Sequence, residues 1–295
     1  MSKEGSQNEG CSSGSCPSGS QGSPKMAMGI QDKIIEDSLG RIRHKILVMS
    51  GKGGVGKSSI AANIAVGLAN RGHKVGLMDV DLHGPSIAKI MGIDGLLDVT
   101  PENWIIPASH GANLGVVSMQ AFMPDKDHAV IWRGPAKAGV IRQFIADVQW
   151  GDLDFLVIDS PPGTGDEPLT VAQMVKDALA VVVATPQEVA LADVRKSINF
   201  CTTVNMKILG LVENMGAFKC PHCNEIIELY PCGGGEITAK QAGIPYLGSI
   251  PFDPEVVKAC DAGRPIMDFD SPTTFTTAMS GILDTVESQT VKAEK

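Results

Sequence analysis

Apolar and polar positions along this chain repeat with two periods. Residues 45–50 (KILVMS), 74–80, 113–119, 154–160, 179–185, 207–214 and 245–250 are short apolar runs bounded by Gly, Pro, Asn or Asp, which predicts strands. Helical spacing lies between them. In 57–71, Ile60, Ile64 and Leu68 share one face and Gly72 supplies the stop. In 138–148, Ile141, Phe144, Ile145 and Val148 line up. The same spacing runs through 189–204, 237–243, 254–262 and 274–286, the last with Phe275, Met279, Ile282, Leu283 and Val286 on one side. A short helix is expected at 85–91 and a modest helical lead-in at 31–44. Runs such as FLVI and LAVVVA are apolar on both faces, as in parallel strands covered by helices on either side. The alternation predicts an α/β fold, doubly wound around a mostly parallel sheet. No internal repeat or second domain is visible.

Residues 1–29 break this pattern. They are Ser, Gly, Gln, Asn and Pro with almost no large apolar side chain. Such a stretch buries too little surface to offset its ordering entropy, so a disordered tail carrying Cys11 and Cys16 is expected, followed by a single domain over 30–295.

The 295 residues suffice for a sizeable core, and 43% apolar with 20% charged content is ordinary for a globular chain. A net charge of −8 argues against a nucleic-acid partner and against docking on an anionic membrane. No apolar run approaches the roughly 20 residues of a membrane span, and the start lacks a signal-peptide core. A cytoplasmic location is expected, where thiols stay reduced. The seven cysteines are then either buried or metal-holding, not disulfide-bonded.

The chemistry concentrates at Gly51-Lys52-Gly53-Gly54-Val55-Gly56-Lys57-Ser58, between an apolar strand and a helix. This is a Walker A pattern in its expected context. Its glycines let backbone N–H groups turn toward phosphate oxygens, and the helix N-terminus adds positive partial charge. Gly51, Lys52, Gly53, Gly54, Val55, Gly56, Lys57, Ser58 and the following Ser59 form the expected ATP-binding set. Lys57 would neutralise the outer phosphates and Ser58 would hold Mg²⁺. Lys52, a second lysine in the loop, reads as a further phosphate contact. Asp159 ends the strand DFLVID, where α/β sheets bind ligands, and precedes a Gly-rich turn suited to sensing phosphate. Asp79 and Asp81 end VGLMDVD on the same rim. Either could position the attacking water, Asp79 being equally suited to capping a turn and Asp81 better placed beside a Gly-Pro loop.

Cys220-Pro221-His222-Cys223 sets two sulfurs on one tight loop. In a reducing compartment the spacing suits metal or a redox dithiol. Zinc and iron–sulfur clusters commonly take four protein ligands, so a symmetric dimer would complete either site with the same loop of its mate. His222 is either a ligand or a solvated loop residue. Cys232 is either a third local ligand or a packed side chain. Cys201 and Cys260 read as buried small side chains.

Taken together, GKGGVGKS with its first lysine resembles the deviant Walker A ATPases, a group related to septum-site and partition proteins and to the nitrogenase iron protein. MDVDLHGPS (78–86), IWRGPAKAG (131–139), DFLVIDSPPGTGDEPLT (154–170), VENMGAFKCPHC (212–223), GGGE (233–236) and IPFDPEV (250–256) resemble the Mrp family of iron–sulfur cluster carriers, in order, over about 45–279. The resemblance implies a homodimeric ATPase that holds a [4Fe–4S] cluster and delivers it to apoproteins with assembly factors. It implies that Lys52 reaches the partner's nucleotide. Asp81 and Asp159 would lie in the two switch segments, and Asn214 would recognise adenine. Cys220 and Cys223 would ligate a bridging cluster. Long members of the family carry four cysteines in an N-terminal extension; Cys11 and Cys16 are only two. A spatial-organising ATPase would need a basic surface or a terminal amphipathic helix, which DTVESQTVKAEK does not offer. An electron donor of the nitrogenase type uses single, widely spaced cysteines.

Overall fold

The computed structural model describes residues 24–82, 84–122, 134–220, 222–230 and 233–291. In chain order the elements are α1 (Pro24–Gly40), β1 (Ile42–Met49), α2 (Lys57–Asn70), β2 (Val75–Asp79), α3 (Ile87–Ile90), β3 (Ala108–His110), β4 (Leu114–Ser118), α4 (Gly134–Asp147) and β5 (Leu153–Asp159). They continue as α5 (Asp166–Met174), β6 (Leu179–Ala184), α6 (Glu188–Thr203), β7 (Lys207–Glu213), β8 (Phe218–Lys219), β9 (Ile226–Ile227), α7 (Gly234–Ala242), β10 (Tyr246–Ser249), α8 (Pro254–Asp261) and α9 (Thr274–Thr290).

Eight strands form one sheet in the order β10-β7-β6-β1-β5-β2-β4-β3, all neighbours parallel except the β3–β4 pair. Alternate residues of each central strand enter opposite cores. Ile46, Val48, Phe155, Val157, Val181 and Val183 pack with α2, α3, α8 and α9. Leu47, Met49, Leu156, Ile158 and Val182 pack with α1, α4, α5, α6 and α7. The doubly wound α/β expectation holds, and the both-face apolar runs carried it. Phe275, Met279, Ile282, Leu283 and Val286 of α9 are all buried, each contributing about 1.5–3 kcal/mol of apolar burial. Among the described residues no helix is long and apolar enough to cross a membrane.

The differences lie at element edges. α1 starts at Pro24, inside the segment read as tail, and ends at Gly40. Residues 42–44, read as helical, are strand, because Ile42 and His44 pair in register with Leu153 and Phe155. Ion pairs Arg41–Asp152 and Arg43–Asp154 line that edge. Helix α5 escaped notice, although Asp166 and Glu167 in its first turn suit the positive end of a helix. Cys11, Cys16, His83, Cys232 and the 131–133 part of IWRGPAKAG lie outside the described residues.

Candidate nucleotide site and cysteine loop

Strand order places the site. β5 lies between β1 and β2, so Val48, Asp159 and Asp79 stand side by side at the C-terminal rim of the sheet. The chain leaves β1 at that rim, turns through the phosphate loop and enters α2. Gly56 has φ 82°, and a Cβ there would sit 2.2 Å from Asn214 Nδ2, so only glycine fits. At Gly51 a Cβ would meet the Asp193 carbonyl oxygen of α6 at 2.4 Å. The loop is thus pressed between α6 and the end of β7. The Ser50 hydroxyl donates to the Lys52 carbonyl (2.8 Å), and the Gly163 amide of the turn after β5 donates to the Ser50 carbonyl (2.8 Å).

Above the loop is a cavity of about 430 Å³. Gly53, Gly54, Gly56, Lys57, Ser58 and Ser59 form its floor, with Asp81 and Asn214 beside them. Lys52, half-exposed, is not among the lining residues. Asn214 donates from Nδ2 to the Val55 carbonyl at 2.9 Å, a tie between β7 and the phosphate loop. Pro251, Phe252, Asp253, Val256, Cys260 and Phe275 make the far wall. Sequence reading left this wall unassigned, although IPFDPEV closes a strand on the same rim. Cys260 is half-buried there, its sulfur 3.8 Å from the Ser59 hydroxyl, not packed away as expected.

Lys57 and Asp159 form a buried ion pair, Nζ to Oδ1, at 2.5 Å. Burial pushes the Asp159 carboxyl above the usual range, while the charge and hydrogen bond of Lys57, and then a Ser58 hydrogen bond, pull against it. Its other oxygen, Oδ2, is buried and has no hydrogen-bond partner among the described residues. An orphaned carboxylate oxygen beside a serine hydroxyl is a hard oxygen donor set, which fits Mg²⁺. Asp79 is fully buried, and its role is internal. Oδ1 accepts the Asp81 amide (3.1 Å), and Oδ2 accepts the Ile87 amide (3.2 Å) and the Ser118 hydroxyl (3.1 Å). Burial, and then the nearby Asp159 charge, raise its carboxyl to about 7. Of the two readings offered by VGLMDVD, the cap fits Asp79, while Asp81 lines the cavity with Oδ1 held by the Gly84 amide at 3.2 Å.

β7 continues past Asn214 into the β8–β9 hairpin, whose tip is the cysteine loop. The Cys220 amide donates to the Glu225 carbonyl and the Asn224 amide to the Cys220 carbonyl, both at 2.9 Å. Asn224 has φ 60°. This knuckle turns N–H groups onto the Cys220 sulfur. Hydrogen bonds from the Cys223 amide, then the His222 amide, then the Cys223 thiol hold Cys220 below the usual thiol range. Thiolate is the form that binds metal. Cys223 and His222 are exposed. Cys201 is buried in α6, which pushes its thiol up to about 11. Among the described residues no group of three His, Cys, Asp or Glu side chains is placed to hold a metal.

With this geometry, residues 41–287 match the family model of NUBPL iron-transfer P-loop NTPases in the ParA group. The iron–sulfur cluster carrier protein of Methanococcus maripaludis is 45% identical over 258 residues, covering 87% of this chain and 89% of that one. The cytosolic Fe–S cluster assembly factor CFD1 of Eremothecium gossypii is 47% identical over 241 residues, covering 79% and 86%. Among solved structures, a nucleotide-binding protein of Archaeoglobus fulgidus in complex with ADP superposes with a TM-score of 0.72 at 40% identity, covering 83% of this chain and 95% of that one. The chain belongs to the family of NUBPL iron-transfer P-loop NTPases.

Proposed function

We propose that this chain is a cytoplasmic ATPase that carries an iron–sulfur cluster and delivers it to apoproteins. The observation that carries the reading is the Cys220 knuckle. It sets two thiols on one loop, Cys220 shifted toward thiolate and six residues along the chain from the cavity residue Asn214.

ATP enters the cavity with its phosphates against the amides of the loop. Lys57 exchanges its partner, from Asp159 to phosphate. The Ser58 hydroxyl would hold Mg²⁺ and Asp159 would orient it, and the ion would supply positive charge against the phosphates. Asp81, fixed by the Gly84 amide, orients the attacking water. The Gly163 amide ties the turn after β5 to Ser50, so that turn reads the outer phosphate through the loop it rests on. A [4Fe–4S] cargo takes four thiolates; one knuckle offers two, and the same knuckle of a second copy supplies the rest.

The delivery step is tested by loading the chain anaerobically and mixing it with an apo-ferredoxin. The cluster should appear on the acceptor. Rates without nucleotide, with ADP and with a non-hydrolysable ATP analogue should differ by about 5-fold or more. Retention of all iron under every condition would fit an electron donor instead.

Lys52 lies outside its own cavity, which suits a contact to the nucleotide of the second copy. Lys52→Ala should therefore slow hydrolysis by about 10-fold or more while ATP affinity changes by less than about 3-fold. Equal losses of both would place Lys52 in its own subunit's site.

A further inference from the structure

The wall of the nucleotide cavity and the stem of the cysteine hairpin are one continuous packing unit. Phe252 lines the cavity. Its ring meets Phe218 edge-on, centroids 6.0 Å apart and planes at 74°. Phe218 is the first residue of β8, two positions before Cys220, and forms an isolated parallel bridge with Phe252. Backbone bonds lock the two segments: the Gly216 amide to the Ile250 carbonyl at 2.9 Å, and the Phe252 amide to the Ala217 carbonyl at 3.2 Å. A Cβ on Gly216 would stand 2.6 Å from the Ser249 hydroxyl, so the two segments lie too close for a side chain between them. The other side of the cysteine segment is anchored by Glu213. Its buried carboxylate accepts the Gly235 amide at the start of α7 (2.8 Å) and the Ser249 hydroxyl (3.0 Å).

The stem of the hairpin is therefore tied to the cavity wall by backbone hydrogen bonds and by the ring contact. Close-packed aromatic contacts pass a displacement on because they compress little. A ligand that presses on Phe252 also presses on Phe218, and the hairpin tip is the free end of that lever.

We propose that the Phe218–Phe252 ring pair couples occupancy of the nucleotide cavity to the position of the Cys220–Cys223 loop, Phe218 acting as a positioning residue for both thiols. The inference rests on the nucleotide site of the function proposed above but not on the cluster, so it is tested on iron-free protein. The full-length chain is alkylated with iodoacetamide, with and without Mg²⁺ and a non-hydrolysable ATP analogue. The rate at each cysteine is read by peptide mass spectrometry.

In the native chain the analogue should change the rates at Cys220 and Cys223 by about 5-fold or more, and leave Cys201 unchanged. Phe218 does not line the cavity, so Phe218→Leu should keep analogue affinity while shrinking the effect to under about 2-fold. Phe218→Tyr, which keeps the ring, should restore it. Native rates that ignore a bound analogue, or a Phe218→Leu chain that keeps the full effect, would overturn the coupling. A chain that never takes up iron yet shows the ring-dependent change would refute the carrier function and leave the coupling standing.

Discussion

Lys57→Ala should abolish ATP hydrolysis, with a fall of at least about 100-fold, because positioned charge on the transferred phosphoryl group is usually the largest catalytic contribution. Lys57 lies at the floor of the cavity, at the N-terminus of α2, and is the cation on Asp159. Undiminished hydrolysis in the variant would mean that the loop is not the active site. The same substitution has a second readout, in stability. It leaves Asp159 buried without its partner, beside Asp79, at a cost on the order of 3 kcal/mol near neutral pH. Burial already raises the Asp159 carboxyl, and Lys57 opposes that rise. Without Lys57 the folded-state value climbs further above the unfolded one. A carboxyl raised in the folded state binds more protons folded than unfolded, so its contribution to stability falls as pH rises between the two values. The deficit of Lys57→Ala against the native chain should be smallest near about pH 4, where a free carboxylate titrates, and grow as pH rises above it. Thermal unfolding of both proteins across that window checks the sign, and a deficit that shrinks with rising pH would contradict it.

The second large effect concerns iron. After anaerobic reconstitution, Cys220→Ala and Cys223→Ala should each lose most of the iron that the native chain takes up. Removing one thiolate from each of two symmetric knuckles leaves two ligands where four are needed. Cys201→Ala should keep its iron, since that sulfur is buried among Met49 and its neighbours and its thiol is pushed up to about 11. Equal loss in all three variants would indicate damage to folding instead of ligand removal, and intact nucleotide binding separates the two.

Much of the site could be read from the chain because it sits where local pattern is strongest. The glycines of 51–56, the lysine at a helix start and the aspartate ending an apolar strand each declare themselves within a few residues. The doubly wound sheet was legible for the same reason: Phe155 to Ile158 are apolar on both faces. What stayed hidden depends on partners far along the chain. Asp79 could be a cap or a catalyst by spacing; only the Ser118 hydroxyl, 39 residues on, and the Ile87 amide show it occupied. The resemblance implies an adenine contact for Asn214, and its bond to the Val55 carbonyl, across 159 residues, has no local signal. Two-residue strands such as β8 and β9 carry no periodicity, so the contact of Phe218 with Phe252 had no local signal. The start of α7 at Gly234 runs against propensity, and a buried Glu213 accepting the Gly235 amide makes it possible.

Iron and acid-labile sulfide, counted per chain after anaerobic reconstitution and alongside the mass of the species in solution, test the carrier function most directly. We expect about four irons and four sulfides per two chains, on a dimer, with the broad visible absorption of a [4Fe–4S] centre. Stoichiometric zinc at Cys220 and Cys223 with no uptake of iron, under the same anaerobic conditions, would contradict it.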